Sequence, residues 1–156
     1  MSEGRPGGCL CGRVRYELRE DPIAFYACHC TDCQRQGGSA FGLSMVVRRE
    51  AIEHLGGELK PVAVPMPDGR EKRSVRCAHC GTRLWGEPAR FPQVRVLCPG
   101  TLDDPRAYEP FGSMWTASAH PWVSLPPGPR FERQPDDPLA MVRAWQERPG
   151  RGAASR

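Results

Sequence analysis

Apolar and polar positions alternate early in the chain. Val14, Tyr16 and Leu18 are separated by charged residues, the period of a half-buried strand. Ile23 to Ala27 is a short apolar run after Asp21-Pro22, and Phe41 to Val47 is another; both read as strands. Leu59 to Met66 and Glu71 to Val75 flank Pro67-Asp68-Gly69, whose turn residues predict a hairpin. Arg83 to Trp85, Gln93 to Leu97 and Met114 to Ala119 complete the predicted strands. Only one segment carries a helical pattern. Asp137 can cap it, Pro138 suits its first turn, and Leu139, Val142 and Trp145 share a face. Pro126-Pro127-Gly128-Pro129 reads as a rigid loop. The expectation is a mainly β domain of short strands with one short C-terminal helix.

Composition narrows this picture. A chain of 156 residues suits one domain. Its 17 prolines and 17 glycines favour frequent turns over long helices. The net charge of +4 is too mild for a protein whose main task is to coat DNA. The basic cluster of Arg70, Lys72, Arg73 and Arg76 is interrupted by Glu71, so nucleic acid ranks low as a partner. No apolar run reaches the length of about 18 residues that a membrane span needs. Met1 to Pro6 lacks the apolar stretch of a secretory signal, so a cytoplasmic protein is expected. Lys60 and Lys72 are the only lysines, a bias we read as that of a GC-rich bacterial genome.

The 8 cysteines change the picture most. In a reducing compartment, so many cysteines point to metal binding or catalysis before disulfides. Cys9 and Cys11 form one cluster, Cys28, Cys30 and Cys33 a second, Cys77 and Cys80 a third, and Cys98 stands alone. A C-x-x-C turn followed by Gly81 presents two thiolates to one metal, and a structural zinc wants four ligands. Cys9 and Cys11 face one way if extended, so they can supply the missing pair. The middle cluster offers three thiolates, which leaves one tetrahedral position for water or substrate, the pattern of a catalytic zinc. Cys98 filling that position is the competing arrangement, since eight cysteines also divide into two sets of four. His29 and His79 lie inside clusters but are expected to hydrogen-bond or face solvent rather than bind metal. His54 and His120 have no ligand-spaced partner.

The order of these motifs resembles the glutathione-dependent formaldehyde-activating family, which also includes centromere protein V. Gly7-Gly8-Cys9-Leu10-Cys11-Gly12 precedes Val14-Arg15-Tyr16. Cys28-His29-Cys30-x-x-Cys33 and Cys77-x-x-Cys80-Gly81 follow, then Gly100-Thr101-Leu102-Asp103-Asp104-Pro105 and Ser118-Ala119-His120-Pro121-Trp122. The likeness covers roughly residues 5 to 135 as one zinc-binding domain, with a helix over 136–148 packed on it and a flexible tail at 149–156. The resemblance implies a β-tent, small antiparallel sheets built around zinc. It implies two Zn2+ per chain. Cys9, Cys11, Cys77 and Cys80 would hold the structural ion, and Cys28, Cys30 and Cys33 the catalytic one. The implied activity is that of a carbon–sulfur lyase on thiol–aldehyde adducts such as S-(hydroxymethyl)glutathione. Relatives often carry a histidine shortly after the proline matching Pro110; here the stretch reads Pro110-Phe111-Gly112-Ser113-Met114-Trp115. Cys98 is not a ligand position of the family pattern.

Such a reaction needs partners of two kinds, a small thiol such as glutathione and an aldehyde such as formaldehyde. Glutathione carries carboxylates, so its site should present cations. Arg35, two residues after Cys33, is the best-placed candidate; Arg48 and Arg49 come next and read more simply as surface arginines. Gly37-Gly38-Ser39 can let backbone approach a ligand closely or be a plain turn. Trp115 and Trp122 suit either a pocket wall or the core. The alternative to the enzyme is a non-catalytic zinc module that binds protein or nucleic acid.

Overall fold

A computed structural model describes residues 3–66 and 68–150. The elements in chain order are β1 (Arg5–Gly8), β2 (Arg15–Leu18), β3 (Ala24–Cys28), α1 (Thr31–Gly37), β4 (Gly42–Arg48) and β5 (Ile52–Gly56). Then come β6 (Leu59–Pro65), β7 (Glu71–Cys77), β8 (Arg83–Glu87), β9 (Val94–Leu97), β10 (Ser113–Met114), β11 (Arg130–Phe131) and α2 (Ala140–Glu147). The protein is mainly β, as its patterning predicts. No helix among the described residues is long and apolar enough to cross a membrane. The residues group into two compact units, 3–22 with 45–108 and 23–44 with 109–150.

In the first unit β1, β2 and β5 form an antiparallel sheet. The alternation predicted for β2 holds, with Val14, Tyr16 and Leu18 all buried. Gly7 faces Tyr16 across the β1–β2 register. A methyl on Gly7 would sit 2.4 Å from Tyr16 Cζ and 2.7 Å from the Thr101 carbonyl, so this approach requires glycine. The Tyr16 hydroxyl meets Thr101 Oγ1 at 2.7 Å, and its ring stands edge-on to Trp85 at 6.1 Å. The end of β4 then runs beside β9, β8, β7 and β6 in antiparallel order. The predicted hairpin is the β6–β7 pair, in register from Leu59↔Cys77 to Pro65↔Glu71. Gly69 takes a φ of 80° in its turn, and Pro67 lies outside the described residues. This hairpin carries Cys77 to its place at the end of β7.

In the second unit β10 pairs in parallel with β3 and with β11, which departs from the purely antiparallel sheets expected. The strand predicted over Met114 to Ala119 stops at Met114. Trp115 adopts a left-handed conformation, φ 59° and ψ 41°, which turns the chain into a 3-10 turn at Thr116–Ser118. The C-terminal helix is present but begins at Ala140 rather than Pro138. The Asp137 carboxylate accepts the Leu139 N–H at 2.9 Å, an Asx turn that precedes the helix. Its buried face is Met141 and Trp145, while Leu139 is exposed. Trp145 stands edge-on to Phe25 of β3 at 6.0 Å, and the Arg148 guanidinium lies 3.5 Å from its ring centroid. Helix α1 has no counterpart in the sequence reading.

Candidate metal centres

All eight cysteines are free thiols. Two clusters form, and each lies inside one unit.

The first holds Cys9, Cys11, Cys77 and Cys80, with all four sulfurs within 4.8 Å of one another. Cys9 and Cys11 stand on the turn that joins β1 to β2. Cys77 ends β7 and Cys80 follows in the next turn. Each turn closes on a glycine, the first over three residues and the second over four. Gly12 N–H donates to the Cys9 carbonyl at 3.1 Å, and Gly81 N–H to the Cys77 carbonyl at 3.0 Å. Both glycines take positive φ, 78° and 75°. Cys9 Sγ lies 3.4 Å from Cys11 Sγ, and Cys11 Sγ lies 3.9 Å from Cys77 Sγ. Zinc–sulfur bonds of about 2.3 Å span a tetrahedron with edges of roughly 3.8 Å, so these sulfurs fit that ion. Backbone N–H groups point at them too, Val14 to Cys9 Sγ at 3.2 Å and Cys80 to Cys77 Sγ at 3.5 Å. Such donors favour thiolates. The Thr82 hydroxyl lies 3.1 Å from Cys80 Sγ and accepts the Leu10 N–H at 3.2 Å, which ties the two turns together. Hydrogen bonds from Thr82, first its hydroxyl and then its N–H, hold the Cys80 thiol down to about 5.

The second cluster holds Cys28, Cys30 and Cys33, again with all sulfurs within 4.8 Å of one another. Cys28 ends β3. Cys30 is the N-cap of α1, and its sulfur accepts the Cys33 N–H at 3.3 Å. A cysteine sulfur thus does the capping work of a serine or aspartate oxygen. That substitution hides the helix from a reader looking for ordinary caps. Bonds from the Cys28 and Cys33 thiols push the Cys30 thiol well below its ordinary value. Bonds to Cys30 and Cys33 push Cys28 above it. A methyl on Gly42 would sit 3.1 Å from Cys33 Cβ, so the start of β4 passes close behind this cysteine.

Among the described residues, no fourth histidine, cysteine or carboxylate joins the second group. Cys98 belongs to neither group. Its N–H donates to the Leu84 carbonyl at 2.8 Å and its own carbonyl accepts the Thr101 hydroxyl at 2.8 Å. Burial pushes its thiol above the ordinary value, and Arg83 and Arg76 act against that rise.

His29 is fully buried, packs on Phe41 with ring centroids 5.4 Å apart, and has no hydrogen bond on either ring nitrogen. Burial lowers its pKa first, and the nearby His120 lowers it further. The expectation that it hydrogen-bonds or faces solvent does not hold for its ring. His79 is exposed, as expected.

Three supporting residues escaped the sequence reading. The Gln34 amide donates to the His29 carbonyl at 2.9 Å and to the Ser118 carbonyl at 3.1 Å. The Ser118 hydroxyl donates to the same His29 carbonyl at 2.8 Å. His120 Nε2 lies 3.2 Å from Gln34 Oε1. Together they pin the Cys28-His29-Cys30 backbone. The signal was present in the Ser118-Ala119-His120 stretch, but its partner Gln34 became visible only once α1 was seen.

Arg35 lies on the exposed side of α1. Thr31, Gln34, Arg35, Gly38 and Ser39 line a groove of about 420 Å³ there. Gly38 ends the helix in the left-handed conformation, and its N–H donates to the Gln34 carbonyl. Arg48 pairs with Glu20 at 3.3 Å and Arg49 with Glu87 at 3.1 Å. Those two arginines serve ion pairs. Trp122 is 74% exposed and edge-on to His120 at 5.9 Å, while Trp115 is half-buried. In the basic stretch, Arg70 pairs with Asp68, and Arg73 with Glu87 at 3.0 Å. Those pairs offset much of its charge.

The chain belongs to the glutathione-dependent formaldehyde-activating enzyme family, whose pattern matches residues 5–118. That span includes all seven clustered cysteines. Its fold is similar to a crystal structure of a Rhodobacter sphaeroides protein, with a TM-score of 0.50 and 17% sequence identity. The match covers 64% of this chain and 88% of that one.

Proposed function

We propose that the protein is a zinc-dependent carbon–sulfur lyase of thiol–aldehyde adducts, with S-(hydroxymethyl)glutathione as the type substrate. The observation that carries this reading is the second cluster, three convergent sulfurs that no fourth protein ligand joins among the described residues. Cys9, Cys11, Cys77 and Cys80 would hold a structural zinc, and Cys28, Cys30 and Cys33 a second zinc. Bound there, zinc would supply a place for a thiol sulfur and favour its thiolate form.

The reaction itself balances without an oxidant. In the forward sense the thiol sulfur forms a bond to the aldehyde carbon, and the thiol proton ends on the carbinol oxygen. In the lyase direction that carbon–sulfur bond breaks and the proton returns. The chain's own residues contribute position. Gln34, Ser118 and His120 hold the backbone between Cys28 and Cys30. His29 and Phe41 pack together beside the cluster. Holding the thiol in one place turns an encounter of two solutes into an encounter with one fixed group.

The test is exchange between free glutathione, formaldehyde and their adduct, followed by NMR with and without the protein. The wild-type chain should accelerate exchange. Cys30→Ser should lose metal from the second cluster and with it the acceleration. Acceleration that survives loss of that metal would refute the zinc-dependent reading, and no acceleration by the wild-type chain would leave it a non-catalytic zinc module.

A further inference from the structure

The sheet formed by β6 to β9 and the end of β4 has two unlike faces. Its inner face carries Met45, Leu97, Trp85 and Val75, direct partners across four strands. None of these is more than 4% exposed. The neighbouring row lies on the opposite face. It runs through Val46, Val96, Gly86, Ser74 and Val62, again direct partners from β4 to β6. An antiparallel sheet with one face on the core ordinarily turns polar side chains outward. Here Val46 and Val96 are half-buried and Val62 is exposed. Gly86 and Ser74 keep the middle of the row low. The Arg83 guanidinium lies over it, with Nη2 3.6 Å from where a methyl on Gly86 would sit. Arg83 Nε and the Ser74 hydroxyl are both buried without a hydrogen-bond partner.

Cations flank this row. Lys72 and Arg76 stand on either side of Ser74 in β7, and Lys60 is the direct partner of Arg76. Glu71 interrupts the basic stretch in sequence but not in space, because strand alternation turns Glu71 and Arg73 to the other face. No strand position on the outer face carries a carboxylate. Lys60, Lys72 and Arg83 make no ion pair among the described residues, and Arg76 reaches only the Gly81 carbonyl at 3.4 Å. Asp68 in the hairpin turn is taken by Arg70, and Glu20 by Arg48 at the far edge. What fits this face is therefore anionic and carries apolar groups of its own. A single-stranded nucleic acid calls for aromatic stacking platforms, and no strand position on this face is aromatic. A lipid surface calls for large side chains such as Trp, Phe or Leu, where this row presents valines. Strand addition at β6 is blocked as well. Met66 bonds to Arg70 and Glu58 to Ala78 at the two ends of the hairpin, so the even residues of β6 bond to β7 and the odd ones face out. Two of those, Pro61 and Pro65, have no N–H to offer. We infer that the outer face docks an acidic segment of another protein, whose carboxylates meet Lys60, Lys72, Arg76 and Arg83 and whose apolar side chains lie along the valine row. The surface belongs wholly to the first unit and does not depend on the lyase reading.

The probe is a fluorescein-labelled peptide of alternating glutamate and valine, titrated with the purified full chain and followed by anisotropy at about 0.15 M salt. Wild type should bind it, and a peptide of alternating lysine and valine should not bind. Lys60→Gln combined with Lys72→Gln should weaken binding about 5-fold or more. Val62→Asp, which sets a carboxylate into the row, should weaken it at least as much. Arg106 and Arg133 are exposed and lie outside this sheet. Arg106→Gln combined with Arg133→Gln removes the same charge and should change affinity less than about 2-fold. Unchanged urea midpoints establish that the variants fold. Equal weakening by the two double variants would reduce the binding to net charge and overturn the inference. No binding of the acidic peptide by wild type at millimolar protein would also overturn it. Tighter binding of oligothymidylate or of phosphatidylserine vesicles, weakened by Lys60→Gln with Lys72→Gln, would overturn it in favour of a different partner.

Discussion

Replacing Gln34 with leucine would show how far the second cluster depends on its surroundings. Leucine keeps most of the side-chain bulk and removes every polar atom. Three hydrogen bonds go with it, at 2.9 Å to the His29 carbonyl, 3.1 Å to the Ser118 carbonyl and 3.2 Å to His120. The His29 carbonyl keeps the Ser118 hydroxyl at 2.8 Å, so it is not stranded. At about 1 kcal/mol of net worth per bond, the loss comes to roughly 2–3 kcal/mol. If all of it falls on folding, a domain of this size should lose on the order of 5–10 °C in melting temperature. If it falls on the cysteine loop, affinity for the second metal should drop about 10- to 100-fold. Urea unfolding followed by tryptophan fluorescence reads the first, and competition with a graded chelator reads the second. Gln36→Leu is the matched control. It makes the same chemical change on the same helix, where the side chain has no hydrogen-bond partner among the described residues. Its effect should stay within about 0.5 kcal/mol. If Gln34→Leu matches Gln36→Leu in both assays, the supporting role argued for Gln34 is refuted.

Other consequences follow from the same geometry. Gly57 has a φ of 90°, and a methyl there would sit 2.3 Å from the Arg13 carbonyl oxygen; Gly12 has a φ of 78° but open space around it. Gly57→Ala should therefore cost about 3 kcal/mol or more, and Gly12→Ala only about 1–2 kcal/mol; equal urea midpoints would contradict this. Burial pushes Tyr16 and Tyr108 up to about 12 and Tyr26 higher still, so the native protein should show no phenolate absorbance step near pH 10. Since the unfolded chain gives up these protons near pH 10 and the folded chain holds them, stability is fully present below pH 10 and falls between pH 10 and 12. Tyr16→Phe should flatten that fall by up to about 2.7 kcal/mol, and an unchanged slope would refute the assignment. Cys77→Ser should lose the first metal and, with it, the folding of residues 45–108, read by circular dichroism; a folded chain with two zincs would show the ligand set to be wrong.

The sequence displayed the parts of this protein that depend on period and spacing. The alternation of Val14, Tyr16 and Leu18 marked β2 because one face of that strand is buried. The paired turns of the first cluster could be read from Cys-x-Cys-Gly and Cys-x-x-Cys-Gly, since each glycine is needed for the positive φ that closes its turn. The short strands β1 and β5 carry no such alternation. β1 is Arg-Pro-Gly-Gly, chosen to let Tyr16 and the Thr101 backbone come close rather than to pack side chains. α1 was hidden for a different reason. It buries no residue and is capped by a cysteine, so neither an apolar stripe nor a familiar cap announced it. With α1 unseen, Gln34 could not be linked to His120. Trp115 ended the predicted strand at Met114 by entering a backbone region that tryptophan rarely occupies, and no sequence pattern predicts that.

The most direct test of the account is native mass spectrometry of the chain purified under reducing conditions, counting zinc per protomer. The two sulfur clusters predict two zinc ions, one held by Cys9, Cys11, Cys77 and Cys80 and the other by Cys28, Cys30 and Cys33. A chain that holds one zinc, and still holds one after Cys30→Ser, would contradict the second site. A metal-free chain lighter by two hydrogens per bridge would contradict both.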